Sequence, residues 1–365
     1  MLGLVRGGRP LLGSLSSASQ HHHQFKKSHS ALALQVDSPV QMEPISKDVN
    51  VLATKDGAGP CTLPSGAWLL QAPRGAYTTC RTVGGATSIF ELSFHIDRLV
   101  TSSKLMLASD AESHLPGAEE ALKRISPAVE TEALRPRVLH SLHDAIAAYR
   151  EASGDTNGEV KCTILVTWAT ASPGQQQQQQ QIDNDVVILT HATSLGAIPT
   201  PPIKIQIRGA PRQNAAAKDS EWVRQRRVYE DQKPADVNEV VLVDDDTGGV
   251  MEGLSSNFFA LVDGKLKTAG EGILMGSVRE AVLRVAEREG IPVVLEAPTL
   301  RELDTWEGAF VSSTSRLLLP VDEASAPELE PPVVKKFEKS EVVRRLVDAV
   351  MKEVAACSEP AVEGK

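Results

Sequence analysis

The segment 236–290, DVNEVVLVDDDTGGVMEGLSSNFFALVDGKLKTAGEGILMGSVREAVLRVAEREG, leaves the chain few conformational options. Residues 238–243 are rich in β-branched side chains and read as a strand. DDDTGG at 244–249 is a turn, and 250–252 begin the returning strand. Residues 257–262 form another strand, closed by the hairpin pair Asp263-Gly264 before 265–268. The hydrophobic period then changes. From Ser277, the apolar Val278, Ala281, Val282, Val285 and Ala286 share one face, and Arg279, Glu280, Arg284, Glu287 and Arg288 lie mostly opposite. Gly290 and Pro292 end that helix. Gly276 and Ser277 therefore stand where a helix presents unpaired N–H groups, which makes an anion site.

The remainder of the chain supports an α+β protein of two domains. Its 365 residues, 41% hydrophobic and 23% charged, suffice for both cores. The net charge of −9, with no sustained basic stripe, argues against a nucleic-acid partner. Cys61, Cys80, Cys162 and Cys357 form no CxxC pair, so neither a zinc site nor a disulfide framework is indicated, and a reducing compartment fits. No apolar run reaches the length of a membrane span. Residues 1–36 hold no Asp or Glu but carry Arg6, Arg9, Lys26 and Lys27, the composition of an organellar transit peptide, for plastid or mitochondrion, or of a disordered tail. His21, His22 and His23 sit in that tail and are discounted as metal ligands.

The first domain is expected over 48–198. It has strands at 68–71, 76–83, 88–91, 161–168 and 186–190, and helices at 95–106, 117–125 and 136–151, with Pro136 in a first turn. The glutamine run 175–181 is a surface insertion. Pro199-Thr200-Pro201-Pro202 is the linker, since three prolines in four positions favour an extended chain. The second domain, 203–325, adds a strand at 203–207 and a helix at 219–231 capped by Asp219 or Ser220. It continues past 290 with a strand at 292–295, a short helix at 300–306, and strands at 309–312 and 317–321. An amphipathic tail helix, 338–355, is expected on the outside.

The string Glu252-Gly253-Leu254-Ser255-Ser256-Asn257-Phe258-Phe259, followed by a hairpin and Leu274-Met275-Gly276-Ser277-Val278-Arg279, resembles the signature of the class IV aminotransferases. These fold-type IV enzymes use pyridoxal 5'-phosphate, and include branched-chain and D-amino-acid aminotransferases and aminodeoxychorismate lyases. The resemblance covers roughly residues 50–325. It implies a two-domain α+β fold with the cofactor crevice between the domains. It also implies a homodimer with its site near the interface, and an amino acid and a keto acid as small-molecule partners.

Four demands of that cofactor can be matched to residues. Lys218, upstream of Glu252 with room for one helix and one strand between, is the candidate for the Schiff base. A helix start beside it would lower its pKa, as an amine nucleophile requires. Glu252 would face the pyridine nitrogen. The phosphate cradle would come from Gly276, Ser277 and Val278, from Thr314 in Ser313-Thr314-Ser315, and from Arg98 in His95-Ile96-Asp97-Arg98-Leu99, which matches the family's H-x-x-R-L. Val278 stands where the family has threonine, and Val223, beside Trp222, where branched-chain enzymes have tyrosine. Tyr77 and Ser315 are expected on the substrate side, as is Arg81, which either orients a substrate carboxylate or braces its strand. The Thr78-Thr79-Cys80-Arg81 pattern leans towards the lyase, and E-G-L-S-S-N towards the aminotransferases. A scaffold without cofactor is the third reading, against which Lys218, Glu252 and Arg98 together argue.

Overall fold

Strand alternation in two separate stretches of sequence builds two sheets. The computed structural model describes residues 49–168 and 186–361. The tail at 1–36 with its histidines, the start of the first domain at 48 and the glutamine run lie outside the described residues. The first sheet contains β1 (Asn50–Thr54), β2 (Gly57–Pro60), β3 (Gly75–Val83), β4 (Ser88–Phe90), β5 (Val160–Thr167) and β6 (Val187–Ser194). The second takes β7 (Lys204–Ile207), β8 (Glu239–Val243), β9 (Val250–Gly253), β10 (Asn257–Val262), β11 (Lys265–Lys267), β12 (Val293–Val294), β13 (Trp306–Ser313), β14 (Leu317–Pro320), β15 (Glu323–Ala326) and β16 (Val333–Lys336). The short β17 (Ser358–Pro360) returns to the first sheet, whose order is β17-β4-β3-β5-β6-β1-β2. In the second the order is β12-β11-β10-β9-β8-β7-β15-β16, with β13 pairing β10 and β14.

The helices cover these sheets with stripes at helical spacing. On the first, α2 (Leu92–Glu112) buries Leu92, Ile96, Leu99, Ser103 and Met106, and α4 (Thr131–Ser153) buries Leu134, Val138, Leu142, Ala145 and Tyr149. A shorter helix, α3 (Ala118–Ile125), joins them. On the second, α7 (Ser277–Arg288) packs Val278, Val282 and Val285 into one apolar cluster with Phe259 and Phe310, whose rings stack at 4.7 Å. β10 is buried along its whole length, as a central strand covered on both faces should be.

Several expectations change. Residues 68–71 are not a strand but lie in helix α1 (Ser65–Gln71). Pro64 precedes it, Trp68 N–H returns to the Pro64 carbonyl at 2.9 Å, and Ser65, Trp68 and Leu69 are buried at helical spacing. α4 begins before Pro136, which falls in the second turn, because Leu134 extends the buried stripe. The helix expected over 219–231 is two pieces, α5 (Glu221–Gln225) and α6 (Arg227–Gln232), divided at Arg226. Ser220 does not cap α5, since its hydroxyl accepts the Gly75 N–H at 3.0 Å, while Asp219 Oδ1 takes the Glu221 N–H at 2.9 Å. Strands β1, β2, β15, β16 and β17 are additions; each has only three to five residues, too short a run for its period to stand out in the sequence.

The tail is also more deeply engaged than an outer helix. Val343, Leu346, Val350 and Val354 of α8 (Glu341–Ala356) enter the same apolar cluster as α7. The chain then crosses to the first sheet as β17. There the Glu359 carboxylate accepts the N–H and hydroxyl of Ser93, both at 2.8 Å, at the start of α2. Leu346→Ala should therefore lower unfolding free energy by about 2–5 kcal/mol in denaturant titrations. A helix lying on the outside would lose only about 0.5 kcal/mol.

Candidate active site

Hairpin register explains the spacing of the E-G-x-x-x-N string. Glu252 on β9 pairs with Asn257 on β10, which pairs with Ser312 on β13, so the three stand in a row at one end of the second sheet. The first two hold a single residue between them. Glu252 Oε2 accepts the Leu274 N–H at 3.0 Å, and Asn257 Nδ2 donates to the Leu274 carbonyl at 2.7 Å. That grip sets the loop leading into α7. Gly276 follows at the helix N-cap with no side-chain cap, and a Cβ there would stand 2.3 Å from Asn257 Oδ1. The first N–H groups of α7 are thus left open. Ser277 Oγ lies 3.5 Å from Thr314 Oγ1, while the Val278 side chain is buried in the apolar cluster, so the hydroxyl at this helix start is that of Ser277.

Lys218 is placed by the first sheet. Its carbonyl accepts the Tyr77 N–H at 2.9 Å, Ser220 N–H bonds the Gly75 carbonyl at 2.9 Å, and the Lys218 N–H bonds Ser102 Oγ of α2 at 3.0 Å. Asp219 next to it is clamped by Arg74, which also bonds Asp110. The Lys218 Nζ lies 4.8 Å from the centroid of the Tyr77 ring. Burial, then Arg98, Arg212 and Arg226, hold its pKa well below the usual lysine range, and Glu252 opposes them. The direction matches the sequence reading but the cause differs, because α5 has only five residues and the guanidiniums take the part assigned to a helix dipole.

Glu252, 5% exposed, also accepts from Arg212 Nε at 2.7 Å, a buried pair whose guanidinium is anchored on the Ala215 and Ala217 carbonyls. Arg98 is held by Thr78 Oγ1 at 2.6 Å and by His95 Nδ1 at 3.1 Å. Thr78 Oγ1 lies 2.8 Å from the same His95 nitrogen. A ring nitrogen that accepts from a guanidinium carries no proton. Burial, with Arg98 and Lys218, accordingly pushes His95 well below its ordinary pKa. Burial, with Arg212 adding to it, lowers Arg98 to about 10, so it stays charged at neutral pH.

These groups line one cavity of about 230 Å³, with walls from both sheets. It gathers Lys218, Arg98, Glu252, Gly276, Ser277, Val278, Thr314, Tyr77 and Ser315. Arg81 lies outside the lining. Its Nε and Nη1 are buried without a hydrogen-bond partner, and Glu159 is the carboxylate that bears on it. The cation entering the cavity from that stretch is Lys161, its cross-strand neighbour. Sequence reasoning also missed Arg212 and Arg226, which sit in a loop and at a helix break where no periodicity marks them. Lys161 and Thr163 were readable, since in KCTILVTW they alternate onto one strand face with Leu165.

A family model described as amino-transferase class IV matches residues 75–324. The chain belongs to this family. A relative, the putative branched-chain-amino-acid aminotransferase of Methanocaldococcus jannaschii, is 31% identical over 163 residues, 41% of this chain. The match spans 54% of that curated protein's length. Among solved structures, the branched-chain aminotransferase of Thermoproteus uzoniensis with norvaline superposes with a TM-score of 0.57 at 15% identity, over 86% of this chain and 99% of the other. A hypothetical aminotransferase from Mycobacterium tuberculosis, in its PLP-bound form, gives 0.59 at 17% identity, over 84% of this chain and 99% of the other. At these identities the superpositions establish the fold-type IV architecture. Among the described residues, no helix is long and apolar enough to cross a membrane, and no cluster of three or more His, Cys, Asp or Glu is arranged to hold a metal.

The Lys218 amine has a stability consequence. Folded Lys218 releases its proton at lower pH than the unfolded chain, so the unfolded state binds the extra proton and stability rises with pH in that window. The penalty is absent above the ordinary lysine value of 10.5 and grows as pH falls towards the folded value. Lys218→Met should raise the thermal midpoint of the apoprotein at pH 8, with the two proteins converging towards pH 10.5.

Proposed function

We propose that the protein is a pyridoxal 5'-phosphate-dependent aminotransferase that moves an amino group between an amino acid and a keto acid. The observation that carries this reading is one amine, Lys218, among three guanidiniums, facing a carboxylate that Arg212 and a peptide N–H fix in place. An ordinary surface lysine needs no such surroundings.

The residues fit the cofactor. Its phosphate suits the open N–H groups of Ser277 and Val278, the hydroxyls of Ser277 and Thr314, and Arg98, whose Nε is buried without a partner. Each Glu252 oxygen takes one donor from the protein, which leaves acceptor capacity for a protonated ring nitrogen. Lys218 would hold the group covalently through Nζ. Pyridoxal phosphate supplies the aldehyde and the electron-withdrawing ring on which amino groups are exchanged.

The protein's own part is then positioning and proton transfer. A neutral Lys218 Nζ is the nucleophile, and once free it accepts the proton from the substrate Cα and returns it. Arg98, kept rigid by Thr78 and His95, fixes the anionic end, and Arg212 keeps the Glu252 carboxylate from swinging away. A homodimer is part of this proposal. A lyase that releases pyruvate from aminodeoxychorismate is the second reading, favoured by the Thr79 and Thr163 hydroxyls on the cavity wall.

Borohydride treatment of the protein with added cofactor should leave a pyridoxyl adduct on Lys218, seen by peptide mapping. Lys218→Ala should abolish it, and an adduct spread over surface lysines would count against the assignment. Glu252→Ala should keep the adduct but lower turnover about 10²-fold or more. Pyruvate formed without a keto-acid acceptor would select the lyase.

A further inference from the structure

A buried ion pair behind the cavity wall joins two turns that carry groups assigned to the cofactor. The first turn, 253–256, links β9 to β10 and closes with the Gly253 N–H on the Ser256 carbonyl at 2.8 Å. Glu252 stands directly before it. The second, 313–317, links β13 to β14 with Ser313 opposite Leu317, and contains Thr314. Residues 253–256 and 313–315 line the cavity, whereas Glu239 and Arg316 do not. Pairing of β10 with β13 ends at Asn257 and Ser312, so it stops short of both turns.

Glu239 opens β8 and is buried against both turns. Its Oε2 accepts the Ser256 hydroxyl at 3.0 Å, the Ser255 hydroxyl at 3.3 Å and Nη2 of Arg316. Arg316 Nε donates to Ser313 Oγ at 3.2 Å, and Nη2 also reaches Ser255 Oγ at 3.4 Å. One guanidinium thus holds a hydroxyl from each turn together with the carboxylate they share. There is no slack in this packing: a Cβ on Gly253 would stand 2.2 Å from Ser256 Oγ and 3.0 Å from Glu239 Cγ. The second turn is also strained. Leu317 has a φ of 54°, a left-handed conformation that costs leucine more than glycine or asparagine. Its side chain is buried in the apolar cluster with α7, and Arg316 pins the residue before it.

Pyridoxal phosphate holds its ring nitrogen and its phosphate at a fixed separation, so the groups that meet them must keep theirs. We propose that Arg316, acting through Glu239, is a positioning residue that fixes Thr314 relative to Glu252 and thereby sets the preference of the site for a phosphorylated ligand. The inference rests on the pyridoxal-phosphate reading for the identity of that ligand, but the anion site itself can be measured with inorganic phosphate alone.

The full-length protein, freed of cofactor, is titrated with pyridoxal 5'-phosphate, pyridoxal and inorganic phosphate and followed by tryptophan fluorescence, since Trp222 lines the cavity. Arg316→Met should weaken pyridoxal 5'-phosphate and inorganic phosphate about 10- to 100-fold, while pyridoxal changes less than about 3-fold. That variant also strands the Glu239 carboxylate, so its thermal midpoint should fall. Adding Glu239→Gln removes the stranded charge; the midpoint should recover and the phosphate preference should stay low. Arg316→Lys keeps the charge without the planar fork, so it should hold the midpoint but restore only part of the preference. A preference that follows the thermal midpoint across these variants, or that is unchanged in Arg316→Met, would overturn the positioning role. Phosphate binding that depends on Arg316, with no pyridoxyl adduct on Lys218 after borohydride, would sink the enzyme reading and keep the anion site. An adduct on Lys218 with a phosphate preference indifferent to Arg316 would do the reverse.

Discussion

Two backbone hydrogen bonds to β3 and one to the Ser102 hydroxyl of α2 tie the Lys218 stretch to a sheet, and the helix covering it, that its own part of the sequence does not belong to. Lys218 follows β7, a strand of the second sheet, yet its N–H and carbonyl, and the N–H of Ser220, are taken by α2 and β3 on the first. The amine is thereby carried across to face Glu252 and the start of α7, which the second sheet provides. The cavity exists because of this crossing. Arg74, bridging Asp110 and Asp219, locks it from outside.

Given that placement, electrostatics decides the chemistry. Burial makes any charge on Lys218 unfavourable, and three guanidiniums add to the penalty. The guanidiniums are themselves held by neutral acceptors or by carboxylates, so they cannot relax away from the amine. Arg98 leans on a hydroxyl and an unprotonated imidazole, Arg212 on Glu252 and two carbonyls, and Arg226 on Glu230 and the Leu254 carbonyl. A chain with net charge −9 thus concentrates positive charge in one cavity, which suits anionic ligands.

Much of this was legible where short-range patterning governs. β9, β10, β11 and α7 fall within a residue or so of their expected limits, because turn dipeptides and a change of hydrophobic period mark them locally. The motif residues Glu252, Asn257 and Gly276 are explained by register and close approach, which local sequence encodes. The first helix, α1, was misread because WLLQ suits a strand or a helix, and the Pro64 start decided between them. Arg212 and Arg226 beside Lys218 were invisible because their role depends on which loops the two sheets bring together. Arg81 and Lys161 show the same limit on a smaller scale. Period two puts both on one face, but only the tertiary structure directs the lysine into the cavity and the arginine towards Glu159.

The claim beneath all of this is that the folded protein holds the Lys218 amine well below the ordinary lysine range. Competitive labelling of the apoprotein with acetic anhydride across a pH series, read peptide by peptide, measures it directly. The account predicts that Lys218 titrates well below the ordinary lysine value of 10.5, and that Arg212→Met moves it back up. Titration of Lys218 together with the surface lysines would contradict it.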